Sequence, residues 1–122
     1  MKYVVRALTQ RDAANIHAAF SVKYGKKVLM SVPELAKIIE RKLTLPGFKW
    51  IIVEDLKGAC VGVASYQRRQ KKCYNVRFRF ASIRHKMNYH LSNAIDAYIH
   101  SHESDDSFIG YVLFGDASQG WL

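Results

Sequence analysis

Residues 48–82 contain three consecutive strand patterns with no helical segment between them, and this stretch constrains the fold more than any other. Residues 48–54 are rich in β-branched and aromatic side chains, and the turn at 55–58 leads into a return strand over 59–66. A basic tip at 68–72 precedes a third strand over 74–82. Three successive strands with short connections predict an antiparallel meander in the middle of the sheet.

Helical patterns flank this meander. A strand over residues 3–8 leads to Thr9 and Asp12, a variant capping box that predicts a helix ending near Gly25. Ser31 as N-cap and Pro33 in the first turn predict a second helix that ends at Pro46-Gly47. After the meander, the pattern predicts a helix from about 88 to 102, a strand over 108–114 and a helix entry at 115–118.

The element order β-α-α-β-β-β-α-β-(α) predicts the fold class. We expect an α/β (α+β) fold with a mixed, mostly antiparallel sheet flanked by helices. The last strand follows a helix, so a right-handed crossover is expected to place it beside the third strand of the meander. Neither a linker nor an internal repeat divides the sequence, which predicts one domain over residues 1–122.

The formal net charge of +9 comes from one segment. Between Leu56 and Ile95 there are nine basic residues and no acidic one, whereas the other 82 residues hold ten of each. Within it, Arg77 and Arg79 alternate with apolar residues, so both lie on one strand face as candidates for binding phosphate or carboxylate. Two alternatives stay open, because these arginines would equally suit a solvated sheet edge or pairs with acids.

Several classes of protein are not indicated by this sequence. No apolar run approaches the roughly 18 residues that span a bilayer, and charge appears too early for a signal peptide. Cys60 and Cys73 define neither a disulfide framework nor a metal site, and the five histidines lack metal-ligand spacing. We therefore expect a cytoplasmic protein with reduced thiols, no bound metal and no membrane partner.

The element order and two segments resemble the GNAT N-acyltransferase superfamily. Residues 4–16 are similar to its first strand and helix, and residues 50–64 to a strand pair in which a glycine follows the turn. The resemblance covers nearly the whole chain, as pattern and order, and implies acyl transfer from acetyl-CoA to an amine. The family normally continues with a complete fourth helix and a final strand pair. Because this chain stops at Leu122, we expect an exposed sheet edge and a homodimer that covers it.

The resemblance implies a cofactor site after the fourth strand. In the family, an Arg/Gln-x-x-Gly-x-Gly/Ala loop turns backbone N–H groups onto the pyrophosphate of CoA. The aligned stretch keeps the leading Arg84 but has Met87 and Tyr89 at the two small-residue positions. The backbone from Ala81 to Ile83 would polarise the thioester carbonyl. The implied cofactor-binding residues are Ala81, Ser82, Ile83, Arg84, His85, Lys86, Met87 and Asn88.

Catalytic residues follow less directly from the resemblance. The family's usual general acid is a tyrosine on the fourth helix, which this sequence does not supply. A general base would come from Glu54, from a histidine or from water held near Tyr111, so Glu54 and Tyr111 are the catalytic candidates.

A non-catalytic alternative also remains, because basic and aromatic residues interleave over 74–80 as in modules that bind nucleic acid or another polyanion. A structural role is a further possibility, since residues 111–118 resemble part of divergent GNAT-like modules in bacteriophage proteins.

Overall fold

Five strands form one sheet in the computed structural model, which describes residues 2–24, 30–70, 73–80, 89–103 and 109–116, with residues 21–24, 69–70, 73, 80 and 109–116 as backbone only. The strands lie side by side in chain order: β1 (Tyr3–Ala7), β2 (Lys49–Asp55), β3 (Cys60–Gln70), β4 (Cys73–Phe80) and β5 (Ile109–Asp116). The pairs β1–β2, β2–β3 and β3–β4 are antiparallel, and β5 runs parallel to β4. The predicted meander, crossover and α+β class are confirmed.

In the described ranges, three α-helices accompany the sheet: α1 (Ala13–Tyr24), α2 (Val32–Leu43) and α3 (Tyr89–His102). The Ser31 hydroxyl accepts a hydrogen bond from the Glu34 N–H at 3.3 Å, so the predicted N-cap of α2 is confirmed. A 3-10 turn over Gln10–Asp12 precedes α1. There the Asp12 carboxylate accepts from the backbone N–H of Thr9 at 2.8 Å and holds the start of the helix in place.

The sheet separates two apolar layers. Alternate residues of each strand project to opposite faces, so Ile52 and Val63 pack with α1 and α2, while Ile51 and Val53 pack with α3. On the α3 side, the helix contributes Leu91, Ile95 and Ile99, all fully buried. These layers leave β4 with one face toward each set of helices.

The β2–β3 hairpin has the predicted turn. Asp55 Oδ1 accepts hydrogen bonds from the N–H groups of Lys57 and Ala59, at 2.9 and 3.0 Å. Gly58 has φ +85°, a backbone conformation that residues with a Cβ rarely adopt. Further along β3, a side chain at Gly62 would meet the ring of Phe78, with its Cβ about 2.5 Å from Cζ. Glycine therefore lets β4 pack tightly against β3 at that point.

Two strands extend beyond their predicted ends. The expected basic tip at 68–72 is wrong for residues 68–70, which belong to β3: Arg68 pairs with Tyr74 and, after a bulge, Gln70 pairs with Cys73. Because that stretch is polar throughout, no apolar alternation marks it as strand. The helix entry expected at 115–118 is wrong for Gly115 and Asp116, which pair with Arg79 and Phe80 in β5. Parallel pairing with β4 holds them in the sheet, and residues 117–118 lie outside the described residues.

Candidate active site

The two arginines of β4 lie on the same face of the sheet as α1 and α2. Val76 and Phe78 are fully buried against α3, so the residues between them project to the other side. Arg77 pairs with Ser65 on β3, and Arg79 pairs with Val63, which belongs to the α1/α2 layer. The predicted alternation of β4 is confirmed, with Arg77 exposed and Arg79 half-buried.

A cleft of about 240 Å³ opens on this face, beside the first half of β4. This β4 cleft is lined by Phe48, Ser65, Tyr66, Gln67, Asn75 and Arg77. Strand register explains the grouping, because Ser65 pairs with Arg77 and Gln67 pairs with Asn75 on adjacent strands. Paired residues of adjacent strands lie side by side on one face, and such rows build a continuous surface.

Two buried polar atoms in and beside the β4 cleft lack hydrogen-bond partners among the described residues. They are Oδ1 of Asn75, which lines the cleft, and Nε1 of Trp50, whose residue pairs with Ser65. A buried polar atom that makes no hydrogen bond costs about 1–3 kcal/mol. Such atoms are uncommon in native proteins and each calls for a physical explanation. A ligand is one such explanation.

A second polar group, the Arg6 network, lies at the far end of β2 and consists of Arg6, Asp12, Asn15 and Glu54. Arg6 donates from Nη2 to Asp12 Oδ1 at 2.6 Å and from Nε to Glu54 Oε1 at 2.9 Å. Asn15 donates to Glu54 Oε2 at 3.3 Å and accepts from the Cys60 N–H at 3.1 Å. These hydrogen bonds connect β1, β2, β3 and the start of α1, so the network holds these elements in place.

The Arg6 network stabilises the charged forms of Arg6 and Asp12. Burial raises the pKa of Asp12, but hydrogen bonds from Arg6 and the Thr9 backbone outweigh it and hold that pKa below its usual 3.8. Hydrogen bonds to Asp12 and Glu54 in turn raise the pKa of Arg6. Nearby Cys60 is a buried thiol at the start of β3. Burial, with the Glu54 charge as a smaller cause, raises its pKa to about 12.

The sheet does not bring the two catalytic candidates together. Glu54 is at the end of β2, with its side chain 13% exposed and both carboxylate oxygens accepting hydrogen bonds. Tyr111 lies on β5, where the structure describes the backbone only, and it pairs with Asn75 of β4 beside the β4 cleft. Three strand spacings and about six residues separate them, which amounts to roughly 25 Å. One reacting atom cannot contact both residues across that distance.

The implied cofactor-binding residues, Ala81 to Asn88, lie outside the described residues. The elements on either side of them bear on the fit to acyl-CoA. β4 and β5 pair continuously to the level of Phe80 and Asp116, so a gap for pantetheine would have to begin after Phe80. α3 begins directly after the loop with no acidic residue in its first turn, and Tyr89 is 76% exposed. A helix start of this kind suits a pyrophosphate, and the described flanks therefore fit the group.

Sequence reasoning missed a polar contact on the opposite face of the sheet. Glu103, just after α3, accepts from Lys49 Nζ at 2.5 Å and from the Tyr66 hydroxyl at 3.0 Å. Burial, followed by this hydrogen bond, raises the pKa of Tyr66. The partners are 54 and 37 residues apart, so no local pattern signals them. This contact fastens the end of α3 to the central strands.

The fold of this chain superposes on known structures. An acetyltransferase from Thermus thermophilus superposes with a TM-score of 0.62 at 12% identity, over 92% of this chain and 75% of that one. The fold is that of the GNAT acetyltransferases. A GNAT-family acetyltransferase from Streptococcus pneumoniae gives 0.56 at 13% identity, over 88% and 70%. Spermidine N-acetyltransferase from Vibrio cholerae, in complex with CoA and spermine, gives 0.56 at 14%, over 91% and 70%.

Sequence comparison adds nothing to this likeness. No protein-family model matches the sequence, and no curated protein matches it. The structural similarity, at identities of 12–14%, therefore identifies the fold that the resemblance predicted. In the described part of the chain, no helix is long and apolar enough to span a membrane. Nor does any group of three His, Cys, Asp or Glu in that part suit a metal ion.

Proposed function

We propose that this protein is an acyl-CoA-dependent N-acyltransferase that acylates a small amine. The observation that carries the proposal is the GNAT fold. Structures named as acetyltransferases superpose on about nine tenths of this chain. One of those neighbours was solved with CoA and a polyamine. The fit of the α3 start to a pyrophosphate adds support from this chain itself.

When bound, acyl-CoA would supply the acyl carbon: the amine nitrogen would bond to it as the C–S bond breaks, and the amine proton would end on the departing sulfur. Arg84, His85 and Lys86 are the side chains we expect to bind its phosphates, together with the backbone N–H groups at the start of α3. The backbone N–H groups from Ala81 to Ile83 are expected to donate hydrogen bonds to the thioester oxygen.

The chain's own residues divide the remaining tasks by their positions. The β4 cleft lies beside the first half of β4, whereas the predicted cofactor loop follows its end, so the acceptor and the cofactor would approach from opposite ends of the strand. Tyr111 pairs with Asn75, five residues or about 17 Å before the end of β4 at Phe80, so we assign it to the acceptor end of the cleft and not to proton transfer at the thioester. Glu54 is assigned to positioning, because Arg6 and Asn15 already use both of its oxygens.

Calorimetric titration with acetyl-CoA, followed by measurement of CoA thiol release with amines, tests the proposal. We expect saturable binding below millimolar concentration and weaker binding in the double variant R84A/K86A. Lys57→Ala provides a matched control, since Lys57 is an exposed cation in the β2–β3 turn, away from α3 and the β4 cleft. An absence of heat at millimolar acetyl-CoA, with a folded protein, would overturn the catalytic proposal.

The alternative function is binding of a nucleic acid or another polyanion without catalysis. It is favoured by one observation, the nine cations without an acid between Leu56 and Ile95, of which Arg77 is exposed on the sheet. This alternative predicts oligonucleotide binding whose affinity falls steeply as salt rises, because bound phosphates release counterions. Fluorescence anisotropy with a short oligonucleotide, repeated from about 50 to about 200 mM salt, measures how the affinity depends on salt. Acetyl-CoA binding with no oligonucleotide binding at low salt would exclude it.

A further inference from the structure

The chemistry of the β4 cleft indicates which amine the protein accepts. Arg77 lines the cleft and is exposed, and Ser65 and Gln67 add a hydroxyl and an amide beside it. No carboxylate lines the cleft among the residues that the structure describes. A guanidinium in a recess without a neighbouring acid attracts a carboxylate, and it repels an ammonium group that has no carboxylate beside it. The charge of the cleft therefore favours an acceptor with an anionic end.

Asn75 adds a requirement for an N–H donor close to that anion. Its Oδ1 is buried without a partner among the described residues, and the side chain lines the same cleft as Arg77, two residues along the same strand face. The terminal torsion of asparagine is broad, so the amide can turn its oxygen toward a ligand. Two residues along a strand span about 7 Å, which places both groups within reach of one small ligand. A carboxylate next to an N–H is the pattern of an amino acid.

The size and position of the cleft limit the rest of the molecule. A volume of about 240 Å³ lies below the roughly 300–1,000 Å³ of drug-sized sites, so the cleft suits only a small end group. Arg77 precedes Phe80, the last residue of β4, by three residues or about 10 Å, and the long Arg77 side chain can span part of that distance. An acceptor anchored at Arg77 therefore needs several carbons between its anchor and an amine that reaches the end of the strand. Phe48, at the edge of the cleft, offers an apolar surface for that stem.

We propose that the β4 cleft binds the amino-acid end of a diamino acid such as lysine, with the carboxylate on Arg77, the α-nitrogen on Asn75 and the distant amine as the acyl acceptor. The assignment of the distant amine rests on the proposed acyltransferase function. The binding of an amino acid in the cleft does not, and it is measured separately.

Three matched compounds test the two contacts one at a time. Cadaverine is lysine without its carboxylate, and 6-aminohexanoate is lysine without its α-amine. With acetyl-CoA present, we expect kcat/KM to be about tenfold higher for lysine than for either analogue, the lower range for a hydrogen bond to a charged group. Arg77→Gln should remove the preference over cadaverine only, and Asn75→Leu should remove the preference over 6-aminohexanoate only. Lys57→Gln, the charge-matched control outside the cleft, should preserve both.

Calorimetry with the same three compounds, with and without CoA, separates this proposal from the acyltransferase proposal. Lysine binding that R77Q weakens about tenfold supports the cleft even if no acyl transfer occurs, and in that case the proposed function alone fails. Equal turnover of lysine and cadaverine by the wild-type protein overturns the cleft assignment while the acyltransferase proposal stands. Absence of both lysine binding and acyl transfer, with circular dichroism showing a folded chain, overturns both.

Discussion

Two polar regions lie on the α1/α2 side of the sheet, and they differ in how their buried atoms are satisfied. In the Arg6 network, the side chain of each acid accepts at least two hydrogen bonds, and the chain itself supplies every donor. In and beside the β4 cleft, Asn75 Oδ1 and Trp50 Nε1 are buried without partners among the described residues. Both regions contain arginine, yet only one completes its own hydrogen bonds.

This difference separates a group that holds the fold from one that is suited to a ligand. A satisfied polar network fixes the relative positions of the elements that it joins. An unsatisfied group costs stability and persists in native structures mainly where something else uses it. We therefore assign the Arg6 network to stability and the β4 cleft to binding, although the sequence analysis named Glu54, which the structure places in the network, as a catalytic candidate.

The largest expected effect is on the alkylation of Cys60, which shows whether the region around the Arg6 network stays closed to solvent. With a pKa of about 12 against an ordinary 9.0, its thiolate fraction at pH 8 is lower by a factor of about a thousand. Iodoacetamide should therefore leave Cys60 unmodified in the native protein and alkylate it in urea, as read by mass spectrometry of its peptide. Rapid native alkylation of Cys60 would mean that this region opens, and the contrast with the cleft would then be lost.

The next effect is on the free energy of unfolding. Asp12→Ala removes a buried carboxylate that Arg6 and Thr9 both contact. Because Arg6 remains 39% exposed and can regain water, we expect a loss of about 2 kcal/mol, below the 3–5 for a fully buried pair. Urea denaturation measures it. Glu40→Ala is the control, since the Gln10–Glu40 contact is exposed and its loss should stay within about 0.5 kcal/mol. Equal losses in the two variants would contradict a structural network.

Acid unfolding isolates the charged part of the same contact. The folded-state pKa of Asp12 lies below its unfolded value near 3.8, so its contribution is complete above that pH and disappears as the pH falls through the folded pKa. As the pH is lowered from about 6 to about 2, the free energy of unfolding should fall more steeply in the wild type than in Asp12→Asn. Parallel curves would show that ionisation of Asp12 adds no stability.

The contrast between the two regions also shows what local sequence can predict. Alternation of Arg77 and Arg79 with apolar neighbours was enough to assign the faces of β4, and Ser31 was enough to start α2, because both signals act over a few residues. The Arg6–Glu54 pair joins residues 48 apart, and the β4 cleft gathers side chains from three separate segments. Their proximity depends on strand register, which tertiary packing sets and no single stretch encodes.

The smallest expected effect on stability should come from the cleft, where Asn75→Leu replaces an amide by an apolar side chain of similar shape. Because Oδ1 makes no hydrogen bond with the described residues, its removal leaves no partner stranded, and the unfolding free energy should rise or change by less than about 1 kcal/mol. Amine turnover should fall in the same variant. Asn15→Leu is the matched control, since Asn15 bonds to Glu54, to the Gly58 carbonyl and to the Cys60 N–H, and it should lose about 1–3 kcal/mol. If Asn75→Leu destabilised the fold as much as Asn15→Leu, the amide of Asn75 would belong to the structure, and the distinction between the two regions would fail at the residue on which it most depends.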